Sequence, residues 1–187
     1  ISHVDFNYFI PIMFDRYTKD VGYDEWCYSE KISYSIRGLH PDIAFTIAES
    51  ENRMTKIELL KDVGIRWHMI GHLQSNKVKQ SVTAFNLIHS LSSLSLATEI
   101  DKRAQENGIV VNVLIEVNVS GEGTKYGVNI DEVSTLHSEI KKLESLKVIG
   151  LMTMPPFSDN AEDSRVYFRK LKKIAENENL NELSTGT

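Results

Sequence analysis

The chain has little cysteine, no basic excess and no long apolar run, and each scarcity argues against a class of protein. A single cysteine, Cys27, excludes an internal disulfide and is typical of a reducing compartment. The net charge of -5 at pH 7 and the pI of about 5.7 argue against nucleic-acid binding as the main role. Asp5, Pro11 and Asp15 interrupt the hydrophobic residues near the beginning, so no secretory segment is predicted. We therefore expect a cytoplasmic protein that binds neither nucleic acid nor membranes.

Common motifs for metals and nucleotides are also missing from the sequence. Its histidines and lone cysteine do not have the spacing of a zinc site, and it contains neither GxxxxGK(S/T) nor GxGxxG. What it has is the composition of an ordinary globular chain, with 41% hydrophobic and 25% charged residues among 187. A chain of this length and composition can bury a sizeable core.

From residue 65 onward, short apolar runs alternate with longer amphipathic segments, which is typical of an α/β fold with a parallel sheet. The predicted strands cover residues 65–70, 86–91, 111–119, 148–154 and a short segment near Leu183. Each strand with its helix takes roughly thirty residues, a scale shared by (β/α) barrels and doubly wound sheets. Periodicity alone does not decide between these two folds.

Helices are predicted between these strands. The most regular pattern covers residues 130–146, where apolar residues recur at steps of three and four. Asn129 is placed to cap this helix, and Glu132 follows three residues later. The other helical patterns cover residues 94–105, 161–175 and 51–61. Residues 1–30 follow no strand-helix pattern.

Polar clusters follow the C-terminal ends of the predicted strands, at residues 72–77, 120–125, 155–159 and 184–187. Ligands bind at that edge in parallel α/β folds, so one shared site is favoured over four unrelated loops. His72, beyond Gly71, is a better site candidate than His68. His68 lies inside the strand and is predicted to be a packed, hydrogen-bonded histidine.

Two features have alternative interpretations on the residues alone. Lys125 lies in the glycine-rich segment 121–127, where it binds an anion, lies near an aldehyde cofactor or belongs to a flexible surface loop. The terminal segment 183–187 either offers backbone N-H groups and hydroxyls to a phosphate or is a frayed terminus.

The segment WHMIGHLQSNK at residues 67–77 closely resembles the signature of the YggS/PROSC family, the pyridoxal 5'-phosphate (PLP) homeostasis proteins. The resemblance continues through VNVSGEGTKYG at 117–127, GLMTMP at 150–155 and LSTG at 183–186. It covers about two thirds of the chain, from near Glu49 to the end. Its motifs are specific to the family.

This resemblance implies a TIM-type (β/α) barrel similar to the N-terminal domain of alanine racemase. It further implies that PLP is held as a Schiff base with little or no turnover, so that the protein carries PLP for PLP-dependent enzymes. We expect a monomer without catalytic residues. The residues that the resemblance places around the cofactor are Asn52, His72, Lys125, Met152, Ser184 and Gly186.

The chain departs from the family pattern near both ends. Arg37 stands where the first strand of the family has its cofactor lysine, and arginine cannot replace that lysine because it stays protonated. Lys125 is then the motif-matched lysine that remains to meet an aldehyde. The phosphate loop and the segment that follows it in the family are incomplete here. We therefore expect an incomplete barrel in a single domain, with a divergent segment at residues 1–48 and the PLP-binding portion at 49–187.

Two other functions compete with the carrier. One is an isomerase like alanine racemase, which would need a lysine and an opposing acid, and Tyr126 is the tyrosine in a matched loop. The other is a chain that has lost cofactor binding and persists as an interaction module or a fragment.

Overall fold

The computed structural model describes residues 44–47, 66–122, 126–156 and 158–185, the first of these ranges by its backbone alone. The chain divides into two compact units, Ile1–Met69 and Ile70–Thr187. The predicted helix at 51–61 and nearly all of the segment 1–48 lie outside the described residues. None of the described helices is long and apolar enough to cross a membrane.

The first unit contributes two parallel strands, β1 (Ala44–Ile47) and β2 (Arg66–Met69). Ala44 pairs with Arg66 and Ile47 with Met69. Strand β2 confirms the prediction at 65–70, and its burial alternates, with Trp67 and Met69 buried. Strand β1 was not predicted, because the alternation of strands and helices was recognised only from residue 65 onward.

The second unit is built on four parallel strands that pair in chain order. They are β3 (Leu87–Leu91), β4 (Val111–Glu116), β5 (Leu146–Thr153) and β6 (Glu182–Thr185). Ile88, Val113, Ile115 and Leu151 are completely buried, as expected of strands covered on both faces. All four strands were predicted, which confirms the α/β class with a parallel sheet.

The described residues of this unit form four helices: α1 (Val78–Ala84), α2 (Leu94–Glu106), α3 (Val133–Ile140) and α4 (Ala161–Asn177). Short 3-10 turns precede α1 at Ser75–Lys77 and α3 at Ile130–Glu132. Helix α2 begins where the Ser93 hydroxyl accepts a hydrogen bond from the Leu96 N-H at 3.2 Å. Its apolar side, which includes Ile100 and Ala104, is buried. Helices α2 and α4 confirm the predictions at 94–105 and 161–175.

The predicted helix at 130–146 is too long. Its beginning is confirmed, since the Asn129 N-H donates to Glu132 Oε2 at 3.0 Å. Its end is wrong, because α3 ends at Ile140 and Leu146 opens β5, where it pairs with Val111 of β4. Residues that the helical spacing alone assigned to the helix therefore belong to a strand, because they pair in the sheet.

Two smaller corrections concern the ends of β4 and the region before β3. The strand predicted at 111–119 ends at Glu116, and Val117 forms an isolated bridge with Val128 instead. Helix α1 was not predicted. It is only seven residues long, and its buried residues Val78, Ser81 and Val82 form too short a pattern to identify a helix.

The sheet of the second unit is strongly curved. His89 Nδ1 on β3 lies 2.8 Å from Ser184 Oγ on β6, although β4 and β5 lie between these strands. In a flat sheet β3 and β6 would be roughly 14 Å apart, because neighbouring strands are spaced by about 4.8 Å. The two side chains meet only because the sheet curls toward them, as it does in a barrel.

A buried hydrogen-bonded pair joins α3 to the end of α4. His137 Nδ1 lies 2.7 Å from Glu178 Oε2, and both side chains are largely buried. Burial alone would raise the pKa of Glu178, but hydrogen bonds from His137 and Ser134 hold that pKa below its usual value. Because folding lowers the pKa of Glu178, the stability that its ionised carboxylate contributes is present at neutral pH. This stability is lost as the pH falls through the folded-state pKa.

We expect His137→Ala to lower the free energy of unfolding by about 2 kcal/mol at pH 7, because the Glu178 carboxylate loses its partner. The matched control is Lys142→Ala, which removes an exposed partner of Glu139 on the same helix end and should cost less than about 0.5 kcal/mol. Urea denaturation of the two variants makes the comparison. Equal losses of unfolding free energy in the two variants would show that the buried pair contributes no more to stability than a surface contact.

Candidate functional site

The side chains at the carboxyl ends of β4, β5 and β6 point to one face of the curved sheet. Glu116 pairs with Met152, and Met152 pairs with Ser184, and residues paired in a parallel register project to the same side. His89 joins this group through its hydrogen bond to Ser184. We call these four residues the inner face.

The contact between His89 and Ser184 fixes one end of the inner face. His89 is only 8% exposed, and its Nδ1 lies 2.8 Å from the Ser184 hydroxyl. A hydroxyl can donate one hydrogen bond and accept others. If His89 carries its proton on Nδ1, it donates to Ser184, and the serine hydroxyl can then donate to a ligand. His89 had no special signal in the sequence, because its role depends on the curvature of the sheet.

Glu116 is the buried acid of the inner face. It is 7% exposed, and its Oε2 has no hydrogen-bond partner among the described residues. Burial raises the pKa of Glu116 to about 7, because the charged carboxylate would lose its hydration. The side chain is therefore partly protonated at neutral pH. The sequence signal that could have found it is a lone acid at the end of the strand VNVLIE.

Two further buried polar atoms in this unit have no hydrogen-bond partner in the part of the chain that the structure describes. They are His72 Nδ1 and Ser90 Oγ. Buried polar groups are nearly always hydrogen-bonded in native proteins. With Glu116 Oε2 at the end of β4, these two atoms are the buried side-chain atoms of the described residues that lack a hydrogen-bond partner.

A stacked aromatic pair joins the polar cluster at 72–77 to the residue that directly follows the cluster at 120–125. The rings of His72 and Tyr126 have centroids 4.2 Å apart and an interplanar angle of 20°. His72 follows β2 in sequence and Tyr126 follows β4, so the structure brings the loops after these strands into contact. Tyr126 is 61% exposed, which places the stack at the surface of the site.

The loop after β4 is held closed at its base. The Asn118 N-H donates to the Val128 carbonyl, and the Val128 N-H donates to the Glu116 carbonyl, both at 2.9 Å. Gly127 makes this closure possible, because its φ is +104° and a Cβ there would lie 2.9 Å from backbone atoms of Glu116 and Asn118. The base of the loop that contains Lys125 is therefore fixed beside the end of β4.

The residues predicted to surround a cofactor fall into two groups. His72, Met152 and Ser184 are described, and Met152 and Ser184 lie on the inner face while His72 lies in the loop stacked on Tyr126. Asn52, Lys125 and Gly186 lie outside the described residues, so their positions stay predictions. No group of three or more metal-ligating side chains occurs within the described ranges.

His68, on β2 of the first unit, is half-buried. Burial, and secondarily the charge of Arg66, lowers the pKa of His68 to about 4. It is therefore uncharged at neutral pH and would be a weak base.

Comparison with known proteins identifies relatives of this chain. Residues 48–184 match the family described as "Alanine racemase, N-terminal domain". The pyridoxal phosphate homeostasis protein of Aquifex aeolicus is 51% identical over 128 residues, which are 66% of this chain and 56% of that protein. The protein of the same name from Synechocystis sp. is 32% identical over 149 residues, or 76% of this chain and 68% of that protein. The chain thus spans little more than half the length of the Aquifex relative.

Solved structures with the same fold include PipY of Synechococcus elongatus. Its structure without PLP has a TM-score of 0.77 at 25% identity and covers 84% of this chain and 76% of that chain. The structure of PipY with PLP bound has a TM-score of 0.70 at 22% identity, with 83% and 74% covered. An alanine racemase of Clostridium difficile has a TM-score of 0.62 at 16% identity, with 81% and 40% covered. These likenesses confirm the predicted fold, an α/β fold of the TIM-barrel type of which the described strands form part.

Proposed function

Since the chain belongs to the family of pyridoxal phosphate homeostasis proteins, we propose that it binds PLP as a non-catalytic carrier. The observation that carries this proposal is the inner face at the carboxyl ends of the strands, where Met152 and Ser184 lie in register and His89 contacts the Ser184 hydroxyl. PLP offers a phosphate, a phenol oxygen, a ring nitrogen and an aldehyde to such groups. We further propose that it acts as a monomer in the cytoplasm and supplies PLP-dependent enzymes.

Among the described residues, Ser184 is the proposed partner of the phosphate. It lies at the end of β6, where the backbone continues to Gly186, and its hydroxyl is oriented by His89 at 2.8 Å. A serine hydroxyl that accepts from a histidine donates its own proton outward, as an anionic oxygen requires. Replacing Ser184 would remove that donor and leave His89 without this contact.

The ring would lie against the apolar part of the inner face. Met152 is almost completely buried there, between Glu116 and Ser184 in register, and its flexible thioether adapts to an aromatic surface. His72, stacked on Tyr126 at the edge, is the proposed boundary with solvent. Asn52 is proposed as a further polar contact on the grounds of family membership.

Lys125 is the proposed attachment point. The aldehyde of PLP supplies a carbonyl carbon that a neutral primary amine attacks, with the loss of water. The amine must be uncharged to do so, and a site that buries it lowers its pKa. In support of this proposal, the base of the loop that contains Lys125 is closed beside Glu116 by the bridge between Val117 and Val128.

The test is PLP retention by the purified chain after dialysis, followed by borohydride reduction and mass spectrometry. We expect one modified lysine at Lys125, and Lys125→Ala should abolish the adduct. The matched control is Lys102→Ala, which removes an exposed lysine on α2 and should leave the adduct unchanged. An adduct that survives Lys125→Ala would overturn the attachment point, and a folded chain that retains no PLP would overturn the carrier function.

A racemase activity is the alternative, with Tyr126 as the acid opposite a lysine. The exposure of Tyr126 argues against it, because proton transfer at a substrate carbon needs a site that excludes water. Conversion of L-alanine to D-alanine in the presence of PLP, lost in Tyr126→Phe, would establish the racemase and contradict the non-catalytic assignment.

A further inference from the structure

Glu116 is the titratable group whose position on the inner face the carrier function does not yet use. It lies in the same row as the proposed contacts, since its register partner on β5 is Met152, and the partner of Met152 on β6 is Ser184. Its Oε2 is buried and has no partner among the described residues. Buried carboxyl oxygens are nearly always hydrogen-bonded in native proteins, so a ligand that reaches this atom would find an acceptor or donor to pair with.

The described residues around Glu116 provide little charge to stabilise a carboxylate. Strand β5 contributes Met152 and β6 contributes Ser184, neither of which is charged at ordinary pH. Strand β3 contributes His89, whose Nδ1 is engaged by Ser184. No lysine or arginine of the described ranges forms an ion pair with Glu116, and burial is the cause of its raised pKa.

We propose that Glu116 binds an anionic oxygen of the ligand as an uncharged hydrogen-bond donor, so that affinity for an anionic ligand falls when Glu116 ionises. This inference rests on the proposed function and adds to it a mode of release. A protonated carboxyl donates a short hydrogen bond to a phosphate or phenolate oxygen. The carboxylate has no proton to donate and repels the same oxygen.

The arrangement makes the site sensitive to pH near neutrality. Burial raises the pKa of Glu116 to about 7 in the protein without ligand. Binding of an anion to the protonated form alone would cost a factor of about ten in affinity for each pH unit above that value. The carrier would then hold its ligand more tightly in slightly acidic than in slightly alkaline surroundings.

The probe for the test is pyridoxine 5'-phosphate, which has the ring, phenol and phosphate of PLP but no aldehyde. Its binding does not depend on a lysine, so this experiment separates Glu116 from the attachment point. Dissociation constants of the unchanged chain and of Glu116→Gln are measured from pH 6 to pH 8.5 by calorimetry. The side-chain amide of glutamine still donates a hydrogen bond but does not ionise.

We expect the ratio of the two dissociation constants to be near one at pH 6 and to reach about thirty at pH 8.5, with the unchanged chain the weaker binder. Ionisation of the ligand cancels in this ratio because both proteins bind the same molecule. Glu144→Gln is the control, since Glu144 is exposed and precedes β5 at the opposite edge of the sheet. The dissociation constant of Glu144→Gln should equal that of the unchanged chain at every pH.

A ratio that stays constant with pH while both proteins bind would overturn the proposal and leave the carrier function intact. The carboxyl carbon of Glu116 in the ligand-free protein gives a second, independent readout by nuclear magnetic resonance. A titration completed below pH 5.5 would also overturn the proposal. If neither protein binds the probe at any pH or retains PLP, the carrier function itself is wrong, and the proposal falls with it.

Discussion

Replacing Glu116 with glutamine is expected to raise the free energy of unfolding by about 3 kcal/mol at pH 8.5 and to leave it nearly unchanged at pH 4.5. Burial raises the pKa of Glu116 from 4.5 to about 7, so the folded state must hold a buried carboxylate above that pH. Between these two values each pH unit costs about 1.4 kcal/mol, because the unfolded chain loses the proton first. Glutamine removes this cost because it does not ionise.

The direction in which stability changes with pH distinguishes a buried, unpaired acid from an ion-paired one. Stability that depends on a protonated Glu116 is fully present below pH 4.5, declines as the pH rises to about 7 and is constant above it. Urea denaturation across this range should therefore give a difference between the two chains that grows over these pH units and then levels. Glu144→Gln, at an exposed position, should show no such growth. If the free energies of unfolding of Glu116→Gln and of the unchanged chain varied with pH in parallel, the carboxyl group of Glu116 would be well hydrated in the folded state.

The elements that could be predicted from the sequence are those whose pattern is long or strongly apolar. Helix α2 was expected at 94–105 and covers Leu94–Glu106, because a serine cap and a buried stripe agree on the same bounds. Strand β3 was expected at 86–91 and covers Leu87–Leu91 for a similar reason, as its apolar residues are bounded by polar ones. Local propensity and tertiary packing point the same way in both.

The errors occur where tertiary structure decides between two local patterns. Leu143 and Leu146 continue the helical spacing of α3, but Leu146 pairs with Val111 and belongs to β5. Nothing in the local sequence marks Ile140 as the end of the helix, since no glycine or proline follows at once. The competing strand is visible only when the register with β4 is known.

The candidate site was predictable as a location and less so as a set of residues. Polar clusters after the strands predicted a shared edge, and His72 of the first cluster stacks on Tyr126, which directly follows the second. Family motifs added Met152 and Ser184, which share a face of the sheet with Glu116. His89 and Glu116 were missed, because one depends on the curl of the sheet and the other on the direction in which the last residue of β4 points.

Gly150→Ala is expected to lower the free energy of unfolding by about 3 kcal/mol, near the upper end of the cost of overpacking. A Cβ at Gly150 would overlap the carbonyl oxygen of Glu182, its register partner on β6. The obstacle is backbone, so no side-chain rotation relieves it and β6 must move. Ser184 lies two residues further along β6, so the same substitution should loosen its contact with His89 and weaken ligand binding.

Gly108→Ala is the matched control because it separates lack of space from backbone strain. Gly108 has a φ of +64° and no atom within 4 Å of a built Cβ, so alanine there should cost only about 1 kcal/mol for the left-handed conformation. Urea denaturation ranks the two variants, and calorimetry with pyridoxine 5'-phosphate shows whether Gly150→Ala alone weakens binding. Equal losses of stability, or unchanged binding in Gly150→Ala, would show that β5 does not set the position of β6. The close approach at Gly150 would then have no part in building the site.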